Sequence, residues 1–262
     1  MNVSIFIPAR YASTRYPGKP LVPLTGADGA AKPLIQRSWE AACAVSGVTS
    51  VYVLTDDGRI ADAARGFGAD VLMTSEAARN GTERCAEALA QLDVEPDVVV
   101  NLQGDAPLTP SWFVEALIER MADWHVQMAT PVLRCDPQTL ENLVTDRREG
   151  RVGGTTAVMK TDGSAIYFSK EVLPHVGDLS NPPEVWHHVG VYAYRPDALR
   201  RYAGWDEGPL ERAEGLEQLR FVENGAAVTC VPVDARGRVF WELNNPVDVD
   251  RIEAVLKKER IA

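Results

Sequence analysis

Ile5-Phe6-Ile7-Pro8-Ala9-Arg10-Tyr11-Ala12-Ser13-Thr14-Arg15-Tyr16-Pro17-Gly18-Lys19-Pro20-Leu21 is an apolar run that gives way at once to three cations, two aliphatic hydroxyls and a glycine. That order predicts a buried parallel strand feeding a loop that binds polyphosphate. The guanidinium groups of Arg10 and Arg15 can each hold two phosphate oxygens, and the Lys19 ammonium can neutralise a terminal phosphate. Pro8, Pro17 and Pro20 stiffen the loop, and Gly18 lets main-chain N–H groups approach an anion. A solvated basic surface loop is the alternative reading. The spacing of a Walker loop is absent, as is GxGxxG, which disfavours a P-loop NTPase or a Rossmann dehydrogenase.

The surrounding pattern alternates strand-like and helix-like segments. Strands are expected at 2–8, 50–55, 70–73 and 97–102, and helices at 34–46, 58–67, from about Thr82, and from Ser111 to about Asp123. This order predicts a doubly wound α/β sheet, mixed but mainly parallel. The uninterrupted Val98-Val99-Val100 suits a central strand covered on both faces. From about Gln127 strands dominate: Met128–Leu133, Ala157–Met159, Ala165–Lys170 and Val189–Tyr194, with 146–151 and 177–184 read as loops. A helix over Glu211–Asn224, a strand over Ala227–Val233 and a helix from Pro246 complete the chain. One domain over 1–262 is expected, with about 127–205 forming a β-rich insertion lobe.

Length and composition agree with one large domain: 262 residues, 45% apolar, can bury a sizeable core. The net charge of −10 argues against general nucleic-acid binding. Cys43, Cys85, Cys135 and Cys230 are far apart, which predicts reduced core thiols and no zinc or redox pair. No basic-then-apolar leader and no membrane-length apolar run is visible, so a cytoplasmic protein is expected.

A second chemical element follows the central strand, Asn101-Leu102-Gln103-Gly104-Asp105-Ala106-Pro107. Asp105 stands at the carboxyl end of a buried strand, where ligands of such sheets gather, and is placed to hold Mg²⁺ against phosphate oxygens. Its other reading is a plain Asx-turn.

With both elements in hand, the chain resembles the CTP:3-deoxy-manno-octulosonate (Kdo) cytidylyltransferase family. The stretches that carry the resemblance are 7–21, Thr55-Asp56-Asp57, NGTERCAEAL (80–89), VNLQGDAPL (100–108), YFSK (167–170), HHVGVYAYRPDAL (187–199) and PLERAEGLEQLR (209–220). They imply a nucleotide-diphospho-sugar transferase-like fold and a reaction in which the anomeric hydroxyl of a 2-keto-3-deoxy sugar acid attacks the α-phosphorus of CTP. The products are a CMP-sugar, used for lipopolysaccharide or capsule, and pyrophosphate. The resemblance implies catalytic roles for Arg10, Arg15, Lys19 and Asp105, and nucleotide contacts from Ala9, Arg10, Ser13, Arg15, Lys19, Asn80, Gly81, Thr82 and Gly104. For the sugar acid it points to Gln103, Lys170, His188, Tyr192, Glu217 and Gln218, and for Mg²⁺ to Asp105 and Asn244. A homodimer is also implied.

Taken on their own, several of these residues keep plainer readings. Asn80-Gly81-Thr82-Glu83 reads equally as a helix start capped by Thr82. Arg84 either binds substrate or pairs with Glu83 or Glu87. Glu217 and Gln218 fit a solvated helix face, and His187 and His188 point to opposite sides of a strand, of which His188 is taken for the site. Three departures from the family are visible. Lys170 stands where the family has arginine, and Leu243-Asn244-Asn245-Pro246 replaces Val-Asp-Thr-Pro. Asn244 therefore occupies the place of an aspartate metal ligand, with Asp248 or Glu242 as substitutes out of register. The third is the Gly26–Ala31 segment, longer than usual and read as a surface insertion.

Overall fold

A computed structural model describes residues 1–12, 16–152, 154–238 and 242–262. Its framework is one mixed sheet of strands β1 (Val3–Pro8), β4 (Ser50–Thr55), β5 (Asp70–Met73), β6 (Val98–Leu102), β7 (Met128–Arg134), β8 (Thr156–Met159), β9 (Ala165–Ser169), β10 (Trp186–His188), β11 (Val191–Tyr194) and β12 (Thr229–Val233). A separate two-stranded hairpin pairs β2 (Pro23–Thr25) with β3 (Ala31–Pro33). The main sheet runs β5-β4-β1-β6-β11-β7-β10-β8-β9, with β12 on β7. β1, β4, β5 and β6 pair in parallel, the reversal begins where β11 enters beside β6, and β12 is parallel to β7. β10 and β11 are one strand path broken at Val189-Gly190, and both pair with β7.

Alternation along the central strands sorts their side chains into two cores. Val3, Ile5 and Ile7 of β1 join Val98, Val100 and Leu102 of β6 on one face, under α1 (Leu34–Cys43), α2 (Gly58–Gly66) and α4 (Ser111–Arg120). Phe6 and Val99 face the other way, toward α3 (Gly81–Leu89) and α6 (Pro196–Ala203). Strands covered on both faces have no solvent side to present, which is why these runs are mostly Val, Ile, Leu and Phe, with Ser4 and Asn101 as buried polar exceptions. The remaining helices are α5 (Pro137–Arg148), α7 (Pro209–Glu214), α8 (Leu219–Glu223) and α9 (Asp248–Glu259).

Three expectations change here. Asp146–Arg151 is not all loop, because α5 runs to Arg148, started by Asp136 whose side chain accepts from the Thr139 N–H. The helix expected over 211–224 is two short helices, since Gly215 adopts φ 61° and ends α7 before α8 begins. The Gly26–Ala31 segment keeps its reading as a surface insertion, with Ala27 to Ala31 exposed, but its base is structural. It lies at the tip of the β2–β3 hairpin, whose Leu24 packs with Leu34, Leu108, Leu243, Ile252 and Leu256, so the hairpin seats α9. Finally, Cys43 is exposed, Cys135 half-buried and only Cys85 and Cys230 are core thiols.

Gly104 closes the gap between the ends of β1 and β6. A Cβ there would lie 2.7 Å from the Pro8 carbonyl oxygen, closer than any real contact, and the obstacle is backbone. Gly104→Ala should therefore push the two strand ends apart and cost about 1–3 kcal/mol; chemical denaturation of the variant measures it, and an unchanged midpoint would refute the close approach.

Candidate active site

The carboxyl ends of β1 and β6 open onto a cavity of about 480 Å³. One wall is the turn from Pro8 to Arg10 with Lys19 and Pro20. The floor is Gln103-Gly104-Asp105, and the far side combines Ala78–Gly81 before and at the start of α3 with Tyr192 and the Gly215–Gln218 segment between α7 and α8. This is where a doubly wound sheet leaves its strand ends diverging, and the place follows from the topology rather than from any one motif.

Lys19 and Asp105 meet across this cavity, Nζ to Oδ2 at 2.6 Å, with side chains 13% and 25% exposed. Each is held independently. Gly18 takes φ 71°, donates its N–H to the Tyr11 carbonyl at 3.0 Å and leads into a single 3-10 turn over Lys19–Leu21. An added Cβ on Gly18 would stand 3.1 Å from the Tyr11 ring, so this position needs glycine on both counts. Asp105 is fixed through its backbone, whose carbonyl accepts from the Leu243 N–H at 2.8 Å.

Of the sequence-predicted residues, Ala9, Arg10, Lys19, Asn80, Gly81, Arg84, Gln103, Gly104, Asp105, Tyr192, Glu217 and Gln218 line this one cavity. Ser13 and Arg15 lie outside the described residues. The others stand elsewhere. Thr82 is buried beneath the wall, with its hydroxyl 2.9 Å from the Tyr194 hydroxyl and its N–H donating to Glu217 at 3.1 Å. The cap of α3 is Asn80, not Thr82, because Asn80 Oδ1 accepts from the Glu83 N–H. His188 is a core residue: it is buried, its Nε2 is 3.0 Å from the Thr130 hydroxyl, and burial lowers its pKa to about 3. It packs between Phe168 and Tyr192, so it supports the tyrosine from behind instead of facing the cavity.

Lys170 stands at the cavity edge, its ammonium 3.1 Å from where a side chain on Gly215 would begin. Its N–H donates to Glu214, which also accepts from Ser169 and Tyr167 and so clips α7 to β9. Asn244 does not line the cavity. It follows Leu243, the residue tied to Asp105, and its Nδ2 is 3.4 Å from Glu242 Oε2. Asp248 is occupied in the architecture, accepting from the Asn244 and Asn245 N–H groups at the start of α9. Arg84 pairs with neither Glu83 nor Glu87. It is 3% exposed and donates to Asp56 at 2.8 Å and to Thr74, which ties the Thr55-Asp56-Asp57 motif to the wall.

Glu217 and Gln218 are not a solvated helix face. They sit in the break between helices, where burial raises the Glu217 pKa and Gln218 is 1% exposed. Gln218 Oε1 is 3.2 Å from the Tyr192 hydroxyl, while its Nε2 has no hydrogen-bond partner among the described residues. An unpaired buried donor costs free energy, so this amide is poised for a ligand oxygen. Sequence reasoning missed Arg79, Glu207, Glu211 and Arg220 in the cavity lining. The last two lie inside the PLERAEGLEQLR stretch, which was the available signal.

A family model described as cytidylyltransferase matches residues 4–229. The chain is 41% identical to the 3-deoxy-manno-octulosonate cytidylyltransferase of Maricaulis maris, over 99% of this chain and 98% of that one. It is 39% identical to the 8-amino-3,8-dideoxy-manno-octulosonate cytidylyltransferase of Shewanella piezotolerans, over 98% of this chain and 99% of that protein. A solved CMP:2-keto-3-deoxy-manno-octonic acid synthetase complexed with CTP superposes with a TM-score of 0.85 at 32% identity, covering 99% of this chain and all of that one. The α/β architecture, the matched motifs and these likenesses agree, and the chain belongs to the 3-deoxy-manno-octulosonate cytidylyltransferase family.

Proposed function

We propose that this protein transfers the cytidylyl group of CTP to the anomeric hydroxyl of Kdo or of a closely related 2-keto-3-deoxy sugar acid, releasing pyrophosphate. The observation that carries the reading is the facing of Lys19 and Asp105 across a cavity whose opposite wall is Tyr192, Glu217 and Gln218. A triphosphate needs cations, and a carboxylated polyol needs neutral donors and acceptors. Both sets open onto one space. The sugar oxygen forms the new bond to the α-phosphorus and gives up its hydroxyl proton to solvent as the bond to the bridging oxygen of the β-phosphate breaks, and Arg10, Arg15 and Lys19 offset charge on the departing pyrophosphate.

Mg²⁺ fits this donor set. Among the described residues no group of three or more His, Cys, Asp or Glu side chains is arranged as a metal cage. Magnesium is commonly held by one or two protein groups plus substrate phosphates, so Asp105, which lines the cavity, would hold it with the phosphates, and the Asn244 amide oxygen, outside the lining, would join only by turning toward Asp105. When bound, the ion would supply positive charge at the α-phosphate. The amide brings one negative charge fewer than a carboxylate. Asn244→Asp is therefore expected to keep or raise activity at low Mg²⁺, read as the Mg²⁺ concentration for half-maximal rate; a collapse of activity would show that the amide serves another purpose.

Pyrophosphate release with CTP, Mg²⁺ and either Kdo or its 8-amino counterpart tests the reaction. Release with either supports the proposal, and the faster acceptor names the substrate, which near-equal identities to relatives of both kinds do not separate. Release only with other acceptors would favour a sugar nucleotidyltransferase of different scope, and CTP binding without turnover a non-catalytic relative. The same reading has the protein act in the cytoplasm, as a homodimer joined through the 127–205 lobe, without nucleic-acid or membrane partners. No described helix is long and apolar enough to cross a membrane. The lobe ends in edge strand β9, which carries Ile166 half exposed.

A further inference from the structure

At the back of the cavity wall, with an edge in the lining, lies a charged group that neither substrate role explains. Arg220 of α8 is 1% exposed, and its Nε and Nη2 donate to both oxygens of Glu211 at 2.6 and 2.7 Å. Its Nη1 donates to Glu83 Oε1 at 2.9 Å and to the Trp205 carbonyl at 3.3 Å. The guanidinium lies 4.1 Å over the Tyr202 ring, and the Tyr202 hydroxyl accepts from Asn80 Nδ2 at 2.8 Å. Glu83 in turn accepts from the Arg79 N–H at 2.8 Å, and Asn80 accepts from the Glu83 N–H. The contacts close a ring, from Arg220 through Glu83 and Asn80 to Tyr202 and back.

Such a cluster is a poor way to gain stability. Removing two or three charges from water costs several kcal/mol, and well-packed apolar side chains in their place are often neutral or better. What a buried guanidinium does offer is geometry: a planar fork that meets two carboxylates and a ring face at fixed angles, which an ammonium lacks. The two carboxylates belong to different walls. Glu83 is in the first turn of α3, next to Asn80 and Gly81. Glu211 is in α7, and its backbone carbonyl accepts from Gly215 and Leu216 at the start of the irregular segment that carries Glu217 and Gln218.

We propose that Arg220 is a positioning residue for cytidylyl transfer, setting from behind the distance between the Asn80–Gly81 turn on the nucleotide side and the Gly215–Gln218 segment on the acceptor side. The inference rests on the transfer reading above. Because the two walls hold different substrates, disturbing their spacing weakens both at once and misaligns the attacking oxygen. Misplacement by about 1 Å costs on the order of 100-fold.

Arg220→Ala leaves a guanidinium-shaped space that opens to the cavity, since Arg220 is part of its lining. The variant is expected to lose about 100-fold in kcat/KM, with KM raised for CTP and for the sugar acid together. Free guanidinium at tens of millimolar should restore about tenfold or more of the loss, and methylammonium should not. Rescue of rate by the missing cation is a readout that a purely structural role would not move. A folded Arg220→Ala protein that guanidinium fails to rescue, or one with wild-type constants, overturns the proposal. If that variant does not fold, Arg220→Lys decides: the charge stays but the fork is lost, so about a tenfold or greater fall in kcat/KM is expected with both KM values raised, and wild-type constants overturn it. Wild-type protein assayed alongside separates the two claims. If it binds CTP but turns over no acceptor, the transfer reading fails, and positioning is then judged by CTP affinity alone, where equal affinity in Arg220→Lys and wild type overturns it.

Discussion

Asp105→Ala abolishes cytidylyl transfer, lowering kcat by on the order of 10³-fold or more, while the protein stays folded. The expected loss follows from place and charge. Asp105 is the carboxylate at the carboxyl end of the central strand, facing Lys19 in the cavity, and it is the group proposed to bring the metal to the α-phosphate. The expected tolerance follows from the backbone. The Asp105 carbonyl accepts from the Leu243 N–H, and the preceding glycine carbonyl accepts from the Ser38 hydroxyl at 2.9 Å, so the turn is anchored without its carboxylate. Asp105→Asn keeps the shape and removes only the charge, and should fall nearly as far. Pyrophosphate release and a thermal melt measure both halves. More than a tenth of wild-type activity in a folded Asp105→Ala protein would remove Asp105 from the reaction.

Lys19→Met moves catalysis and metal affinity in opposite directions. Its kcat is expected to drop by about 10²–10³-fold, because the ammonium is one of the fixed charges offered to the leaving pyrophosphate. Yet nucleotide-free protein should bind Mn²⁺ more tightly than wild type does. In the structure the ammonium holds Asp105 Oδ2 at 2.6 Å, within a pocket that leaves the two groups mostly screened from water. A divalent ion must displace that internal cation or share its carboxylate against like-charge repulsion. Nucleotide relieves the conflict by giving the ammonium phosphate oxygens to bind, so CTP should strengthen Mn²⁺ binding in wild type more than in the variant. Calorimetry or the electron paramagnetic resonance signal of free Mn²⁺ reads this without turnover. If Lys19→Met binds Mn²⁺ more weakly than wild type, the two cations do not compete for Asp105.

The parallel half of the sheet was legible because its signal is short-range. β1, β4 and β6 are apolar runs bounded by turn residues, and α1 and α2 follow from apolar spacing. Where capping chemistry decides, the reading slipped. Asp136-Pro137 starts α5 and Pro196 opens α6, both standard helix entries, yet charged composition made the end of α5, 146–148, look like loop. Gly215 ended a helix that periodicity alone continued. The same break sets Glu217 and Gln218 in the cavity wall rather than on one continuous helix face, with Gln218 buried.

For the site, the residue types needed by the chemistry could be read along the chain, because a polyphosphate loop and a strand-end carboxylate are local patterns that backbone and charge impose within a few residues. Their meeting could not. Lys19 and Asp105 are brought to 2.6 Å by parallel pairing of β1 with β6, a long-range event. Burial, too, belongs to the assembled sheet. His188 shares its strand path with Tyr192 yet supports that tyrosine from the core, and Arg84 found Asp56 instead of its helical neighbours. Which charges are desolvated, and therefore which carboxylate each arginine must take, is settled only when helices from distant parts of the chain close over the strand ends, since the cost of an unpaired ion appears only after water has left.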